Sequence, residues 1–231
     1  MTSASVSRLL GPGDPAPDFT LPVVNGQGEV SLSDYHNRAP LLLGLFRGLH
    51  CPFCRRRLAH LAETQKKLKD IGVETLAVVN TPLERARFYF AHRPTRVPLA
   101  ADPTASTHRS FGLPAFDFVE DALASQWPLR ITMRQFQANL IDPTGELGAP
   151  RNGFEANEML NQKDGFETTD VDRAVMAAHG TQLTGHFLID RQGVIRWVHA
   201  EAVAQMADIG RFPSDAEILE AARPLSAHPG R

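Results

Sequence analysis

Leu41-Leu42-Leu43-Gly44-Leu45-Phe46-Arg47-Gly48-Leu49-His50-Cys51-Pro52-Phe53-Cys54-Arg55-Arg56-Arg57 holds the only two cysteines of a 231-residue chain. Residues 41–46 form an unbroken apolar run, the pattern of a strand covered on both faces inside a parallel or mixed sheet. From Pro52 the period changes: Leu58, Leu61, Ala62, Leu68 and Ile71 recur at helical spacing, and Gly72 supplies a stop. Proline suits a first helical turn, where its missing N–H would have had no intrahelical partner. The spacing therefore predicts Cys51 at the N-cap of a helix and Cys54 one turn further in.

Outward from this stretch the chain alternates strand and helix. Residues 73–79 read as a strand. Thr81-Pro82-Leu83-Glu84 has the form of a capping box that opens a helix toward Ala91, with Pro94 beyond it. A strand-helix-strand-helix order predicts parallel neighbours, with a site at the carboxyl ends of the strands, where Cys51 follows Phe46. Val97–Ala100 reads as a short strand and 104–111 as a short helix. Upstream, residues 19–21 and 29–32 bracket Asn25-Gly26-Gln27-Gly28, a hairpin signal, and residues 1–12 read as a mobile arm. Downstream, 187–189 and 194–198 flank Asp190-Arg191-Gln192-Gly193, a second hairpin. Ser214-Asp215-Ala216-Glu217 has the form of a capping box that opens a terminal helix to about Ala222.

A cysteine at a helix N-terminus is chemically distinct. The thiolate is the reactive form, and unpaired N–H groups, the helix dipole and nearby cations stabilise it. Arg47, Arg55, Arg56, Arg57 and a protonated His50 are the candidate cations, although three successive arginines are also the ordinary face of a solvated helix. Two other readings of the cysteines stand beside the redox one. A zinc site needs further ligands, and no second cysteine pair exists. Two inert buried thiols are the bland reading, since free cysteine is among the most buried residue types.

The chain resembles the peroxiredoxin-like members of the alkyl hydroperoxide reductase / thiol-specific antioxidant family that carry a Cys-Pro-aromatic-Cys motif. The Cys51-Pro52-Phe53-Cys54 stretch, Gly13-Asp14-Pro15-Ala16-Pro17-Asp18-Phe19-Thr20-Leu21-Pro22, Val30-Ser31-Leu32-Ser33-Asp34-Tyr35, residues 73–79 and His186-Phe187-Leu188-Ile189-Asp190-Arg191-Gln192-Gly193-Val194-Ile195-Arg196-Trp197 carry the likeness. It spans residues 13 to about 112 and 181 to 200. The resemblance implies an α/β, thioredoxin-like fold with a central mixed sheet flanked by helices, and residues 113–180 inserted before the late hairpin. Three departures bear on mechanism. Gly44 and Gly48 stand where the family has a proline and the threonine or serine that positions the peroxide. Thr184 stands where its distal arginine, or the cis-proline of thioredoxins, is expected.

The resemblance implies a thiol-dependent oxidoreductase with antioxidant character. Cys51 is expected to be the attacking thiolate and Cys54 the thiol that forms a disulfide with it. The substrate is then a peroxide or a disulfide, and an external dithiol such as a thioredoxin or glutathione system returns the electrons. Protein dithiol–disulfide exchange, a thioredoxin-fold metal carrier using His50 or His186 beside the cysteines, and a non-catalytic scaffold are the alternatives. Neither Gly-x-x-x-x-Gly-Lys nor Gly-x-Gly-x-x-Gly occurs, so no organic cofactor is expected. Tyr35, Trp127 and Trp197 read as packing residues, and His186 as either functional or a satisfied structural histidine.

The remaining bounds are compositional. With 24 basic and 26 acidic residues, the charge offers no attraction to nucleic acid or anionic membrane. No apolar run approaches the roughly 20 residues that span a bilayer. The start lacks a signal-peptide pattern, so the cytoplasm is the expected location, where a close cysteine pair serves redox chemistry more than stability. One domain is expected over 13–223, with residues 224–231 as a frayed tail. Within 113–180, Trp127–Met133 reads as extended, and 154–161 and 170–178 as helices. An insertion of this length serves as a lid, a substrate-recognition surface or a contact between two copies of the chain, making a homodimer one expected assembly.

Overall fold

The structure is a computed structural model that describes residues 8–179 and 181–226, without the side chain of Thr181. In chain order its elements begin β1 (Thr20–Pro22), β2 (Glu29–Ser31), β3 (Leu41–Phe46), α1 (Pro52–Asp70), β4 (Glu74–Val79), α2 (Leu83–His92), β5 (Leu99–Ala101) and α3 (Ser106–Ser110). The insertion follows as β6 (Ala115–Val119), β7 (Arg130–Thr132), α4 (Met133–Ala138), β8 (Leu140–Ile141), β9 (Arg151–Asn152), α5 (Gly153–Asp164) and α6 (Asp170–His179). The chain closes with β10 (Thr181–Gln182), β11 (Gly185–Ile189), β12 (Ile195–Ala200) and α7 (Asp215–Ala222).

β3 is central in a five-stranded mixed sheet of order β12-β11-β3-β4-β5. It runs parallel to β4 and antiparallel to β11. All six of its residues are buried, which explains why its sequence does not alternate. Leu42 and Phe46 face a core that α1 closes with Leu58, Leu61 and Leu68. Leu41, Leu43 and Leu45 face a second core closed by Leu21, Leu32, Tyr35, Phe111 and Phe187. Gly44 sits between Leu43 and Leu45 because the Phe46 ring folds back over it. A Cβ there would meet Phe46 Cε2 at 2.7 Å.

The expected mobile arm over 1–12 lies partly outside the described residues. Residues 8–12 dock: Leu10 is buried and its N–H donates to Phe111 O at 3.1 Å. The expected tail over 224–231 is described only to residue 226, and Arg223–Leu225 form a 3-10 turn after α7. The Thr81 capping box does not form. α2 starts after Pro82 with no side-chain cap, because Thr81 Oγ1 instead accepts from Leu49 N at 3.1 Å. The Ser214–Glu217 box does form.

Residues 113–179 form a layered cap. β6 pairs with β7 in parallel and with β10 antiparallel, so the chain returns to the hairpin beside the strand by which it left. Trp127 Nε1 donates to Ala202 O at 2.6 Å and Asn139 Nδ2 to Met206 O at 3.0 Å, tying the cap to the segment after β12. Among the described residues no helix is long and apolar enough to cross a membrane.

Candidate active site

Residues 47–51 bridge the end of β3 and the start of α1, at the carboxyl edge where open α/β sheets build their sites. The loop runs close against β4's continuation. A Cβ on Gly48 would lie 2.7 Å from Asn80 O and 2.8 Å from His50 Nδ1, so there is no room here for the threonine that the resemblance led one to expect. Arg55 Nη1 donates to Leu49 O at 2.5 Å, pinning the loop opposite Thr81.

Cys51 caps α1 in extended conformation, its Sγ accepting from Cys54 N at 3.4 Å. Arg47 Nε donates to the same sulfur at 3.3 Å. Both thiols are free and buried, Cys51 at 2 % exposure and Cys54 at 1 %. Burial pushes the Cys51 thiol up, but the Cys54 thiol and the Arg47 guanidinium outweigh it and bring it from 9.0 down to about 6. Cys54 moves the other way: burial, then the hydrogen bond and charge of Cys51, hold it well above its ordinary value. These opposite shifts favour a thiolate at Cys51 beside a protonated Cys54.

Arg47 is held by a carboxylate that the sequence did not reveal. Its Nη1 and Nη2 each lie 2.8 Å from an oxygen of Glu201, which is fully buried. Nη1 also donates to Gln182 O at 3.1 Å. Thr184, at the expected arginine position, donates through N and Oγ1 to Glu201 Oε2 at 3.1 and 3.0 Å. The guanidinium therefore reaches the sulfur from the end of β3 and is braced from the hairpin. Glu201 follows β12 in no motif, so no local signal marked it.

The other expected cations have different roles. His50 lines the cavity at Cys51, but burial and then Arg47 push its pKa down to about 4, so it carries no positive charge to offer the sulfur. His186 is fully buried on β11, against Phe46 at a 5.3 Å ring distance, with both ring nitrogens unpartnered. The triple arginine is not a solvated face. Arg55 donates to Asn161 at 2.8 Å and Asp164 at 2.6 Å and stacks on Phe166 at 4.0 Å. Arg56 pairs with Glu146 and Asp164 at 2.9 and 2.8 Å. Arg57 is buried and turns to Asp215 at 3.7 Å. Two arginines thus staple the insertion to the cysteine helix.

The insertion walls a cavity of about 180 Å³ above Cys51. Arg47 and His50 flank the sulfur, and Phe53, Phe136, Phe154, Met176 and Ile209 make the walls. Four larger cavities, of about 630, 590, 340 and 250 Å³, are lined without either thiol. Among the described residues no three His, Cys, Asp or Glu side chains cluster as metal ligands, so His50 and His186 do not complete a donor set with the cysteines.

The AhpC/TSA family model matches residues 12–149, a span that includes both cysteines. The chain belongs to the AhpC/TSA family. This membership makes it a thiol oxidoreductase. No curated protein matches the sequence significantly. Similar solved structures include a peroxidoxin from Mycobacterium tuberculosis at 16% identity and TM-score 0.53, covering 94% of this chain and 96% of that one. A reduced 2-Cys peroxiredoxin from Plasmodium vivax has 15% identity and TM-score 0.55, with 91% and 79% covered. A peroxiredoxin-like protein from Aquifex aeolicus has 15% identity and TM-score 0.54, with 94% and 88% covered. At these identities the likeness shows the fold, and the mixed sheet with its flanking helices is that of the thioredoxin-like peroxiredoxins.

Proposed function

We propose that this AhpC/TSA member reduces peroxides, with Cys51 as the attacking thiolate and Cys54 as its resolving thiol. The observation that carries the reading is Arg47 Nε donating to Cys51 Sγ at 3.3 Å, which favours the thiolate there while burial and Cys51 hold the proton on Cys54. The thiolate attacks the outer peroxide oxygen, forming Cys51 sulfenic acid, while the O–O bond breaks and the departing alkoxide or hydroxide takes a proton from water. Cys54 then attacks the Cys51 sulfur, and its proton leaves with the hydroxyl as water. An external dithiol reduces the disulfide and is itself oxidised to one.

Access favours a peroxide over a protein disulfide. Cys51 lies at the floor of a cavity of about 180 Å³, below the roughly 300–1,000 Å³ of pockets for drug-sized ligands. A small hydroperoxide enters such a space. A loop of a folded protein reaches the sulfur only if the insertion moves. A close dithiol that cycles this way suits a reducing compartment such as the cytoplasm, with a thioredoxin or glutathione system as donor.

The test is the free-thiol count of reduced protein, freed of reductant, after one equivalent of hydrogen peroxide or of cumene hydroperoxide, followed over seconds to minutes. Rapid loss of both thiols, with sulfenic acid trapped in Cys54→Ser, is expected. Loss no faster than for an unactivated thiol, together with catalysed reduction of insulin disulfides, would replace the peroxidase reading by dithiol–disulfide exchange.

A further inference from the structure

Glu201 is more than a counter-ion. Its Oε1 accepts from Arg47 Nη2 at 2.8 Å and Gly210 N at 2.5 Å. Its Oε2 accepts from Arg47 Nη1 at 2.8 Å, Thr184 N at 3.1 Å and Thr184 Oγ1 at 3.0 Å. Five donors occupy a carboxylate that offers about four lone-pair sites. Three of them come from Thr184 and Gly210, so the carboxylate is fixed without help from Arg47. A planar guanidinium seated bidentate on a fixed carboxylate has one orientation left. In that orientation Nε points at Cys51 Sγ, 3.3 Å away.

We propose that Glu201, braced by Thr184, is a positioning residue that aims Arg47 at the Cys51 sulfur. This rests on the reading of Cys51 as the reactive thiolate. Glu201 has two opposed influences on that sulfur. Its own negative charge disfavours a nearby thiolate, whereas its grip on Arg47 favours one. The sign of the effect on removal therefore separates the roles. Glutamine in its place removes the charge but turns an N–H₂ toward the Thr184, Gly210 and Arg47 donors, which breaks the seat. If Glu201 acted only as a charge, Glu201→Gln would make Cys51 more acidic. If it positions Arg47, the same substitution makes Cys51 less acidic.

The measurement is the midpoint of the pH dependence of iodoacetamide alkylation, in a Cys54→Ser background so that only Cys51 is read. The charged and titratable groups near the sulfur are Arg47, Glu201, His50, Cys54 and, on the cavity wall, Glu158, of which Cys54 is removed. The serine hydroxyl replaces the Cys54 thiol that stabilises the anion, so the parent midpoint is expected near the native value of about 6. Glu201→Gln and Glu201→Asp are both expected to raise it by about one unit or more, slowing alkylation at pH 6 about twofold once the greater nucleophilicity of the more basic thiolate is counted. Thr184→Val is expected to shift it in the same direction by less, and Thr184→Ser, which keeps the hydroxyl, to recover the low value. A Glu201→Gln midpoint at or below the parent's overturns the proposal, as does a Thr184→Val midpoint equal to the parent's. Should Glu201→Gln fail to fold by circular dichroism, the Thr184→Val and Thr184→Ser pair decides. Peroxide takes no part in this readout. Midpoints that move as stated in a protein that consumes no peroxide would leave the positioning role standing and remove the peroxidase reading.

Discussion

Replacing Arg47 by methionine keeps apolar bulk and removes the guanidinium from 3.3 Å beside Cys51 Sγ. Burial raises the thiol's pKa, so without the cation the value climbs from about 6 toward its ordinary 9.0, with the residue 54 side chain and Cys54 N–H still offering some stabilisation. A midpoint of about 8–9 is expected. Thiolate at pH 6 then falls from about one half to about 0.1–1% of the protein. A more basic thiolate is intrinsically more nucleophilic, with a Brønsted slope of about 0.4–0.5, which returns roughly 6- to 30-fold of the loss. Alkylation of Arg47→Met is therefore expected to run roughly 5- to 30-fold slower than the parent at pH 6, with the two curves crossing between about pH 7 and 8. Above the crossing the variant is the faster protein. The assay is iodoacetamide alkylation from pH 5 to 10 in the Cys54→Ser background. Arg47→Met alone strands the buried Glu201 carboxylate, at a cost of about 3–5 kcal/mol. The Arg47→Met/Glu201→Met double variant removes both charges and is measured beside it. A midpoint that stays near 6 in the folded variants would refute the claim that Arg47 activates this thiol.

Three further outcomes are expected. A Cβ on Gly153 would sit 2.5 Å from Phe136 Cζ, so Gly153→Ala pushes that ring into the cavity. The cost is about 1–3 kcal/mol, and turnover of cumene hydroperoxide should fall more than that of hydrogen peroxide; an equal fall refutes the cavity's part. Arg55→Ala loses the Asn161 and Asp164 bonds at 2.8 and 2.6 Å. It is expected to cost about 2–3 kcal/mol and to speed amide exchange in α5 while β3 and β4 stay protected; a uniform change would argue against a staple. The acid response follows from buried neutral histidines: His50 and His108 at about 4, and His186 well below its ordinary value, each mainly through burial. These folded values are lowered, so the stability they contribute is full above about pH 6.5 and is lost as pH falls toward 4, by about 1.4 kcal/mol per pH unit for each extra proton the unfolded chain binds. His186→Phe should lower that slope between pH 6.5 and 5 in urea titrations by one proton, and an unchanged slope would remove His186 from the account.

What could be read from the sequence was what the chain decides locally. β3 has six buried residues in a row because it lies between two layers, and an unbroken apolar run records that directly. The helical period after Pro52 and the proline itself fixed Cys51 at the cap. Local signals failed where a distant group competed for the same atom. Thr81 has the residue pattern of a cap, yet its hydroxyl serves Leu49 N instead. The run Arg55-Arg56-Arg57 looks solvated because its acidic partners Glu146, Asp164 and Asp215 lie in segments that only the fold brings near. The missing threonine at Gly48 was visible, but the Asn80 carbonyl that excludes it was not. Glu201 was hidden for the same reason: a single carboxylate after a strand acquires meaning only from the three elements that converge on it.

On the proposed peroxidase reading, a cation delivered from Arg47 rather than from position 184 changes what the site does for its substrate. Activating a thiol needs a cation near sulfur, and any backbone position that delivers Nε to within hydrogen-bonding reach suffices. Activating a peroxide also needs donors free to meet the leaving oxygen, where negative charge develops. Here Arg47 spends four of its five N–H groups: Nε on Cys51, both on Nη1 with Glu201 and Gln182, and one on Nη2 with Glu201. Gly48 contributes no hydroxyl, and Thr184 Oγ1 is committed to Glu201. The site therefore strengthens the nucleophile far more than it cradles the departing oxygen. Its advantage over a free thiol should come from thiolate supply, which is complete above about pH 7, rather than from a peroxide-specific acceleration. The ratio of the hydrogen peroxide rate to the iodoacetamide rate, measured on Cys51 at pH 8 where thiolate is saturated, is expected within about tenfold of that ratio for a small-molecule thiolate of similar pKa. A ratio a thousandfold higher would mean that donors outside this network reach the peroxide, and the assignment of Arg47's remaining N–H would have to be redrawn.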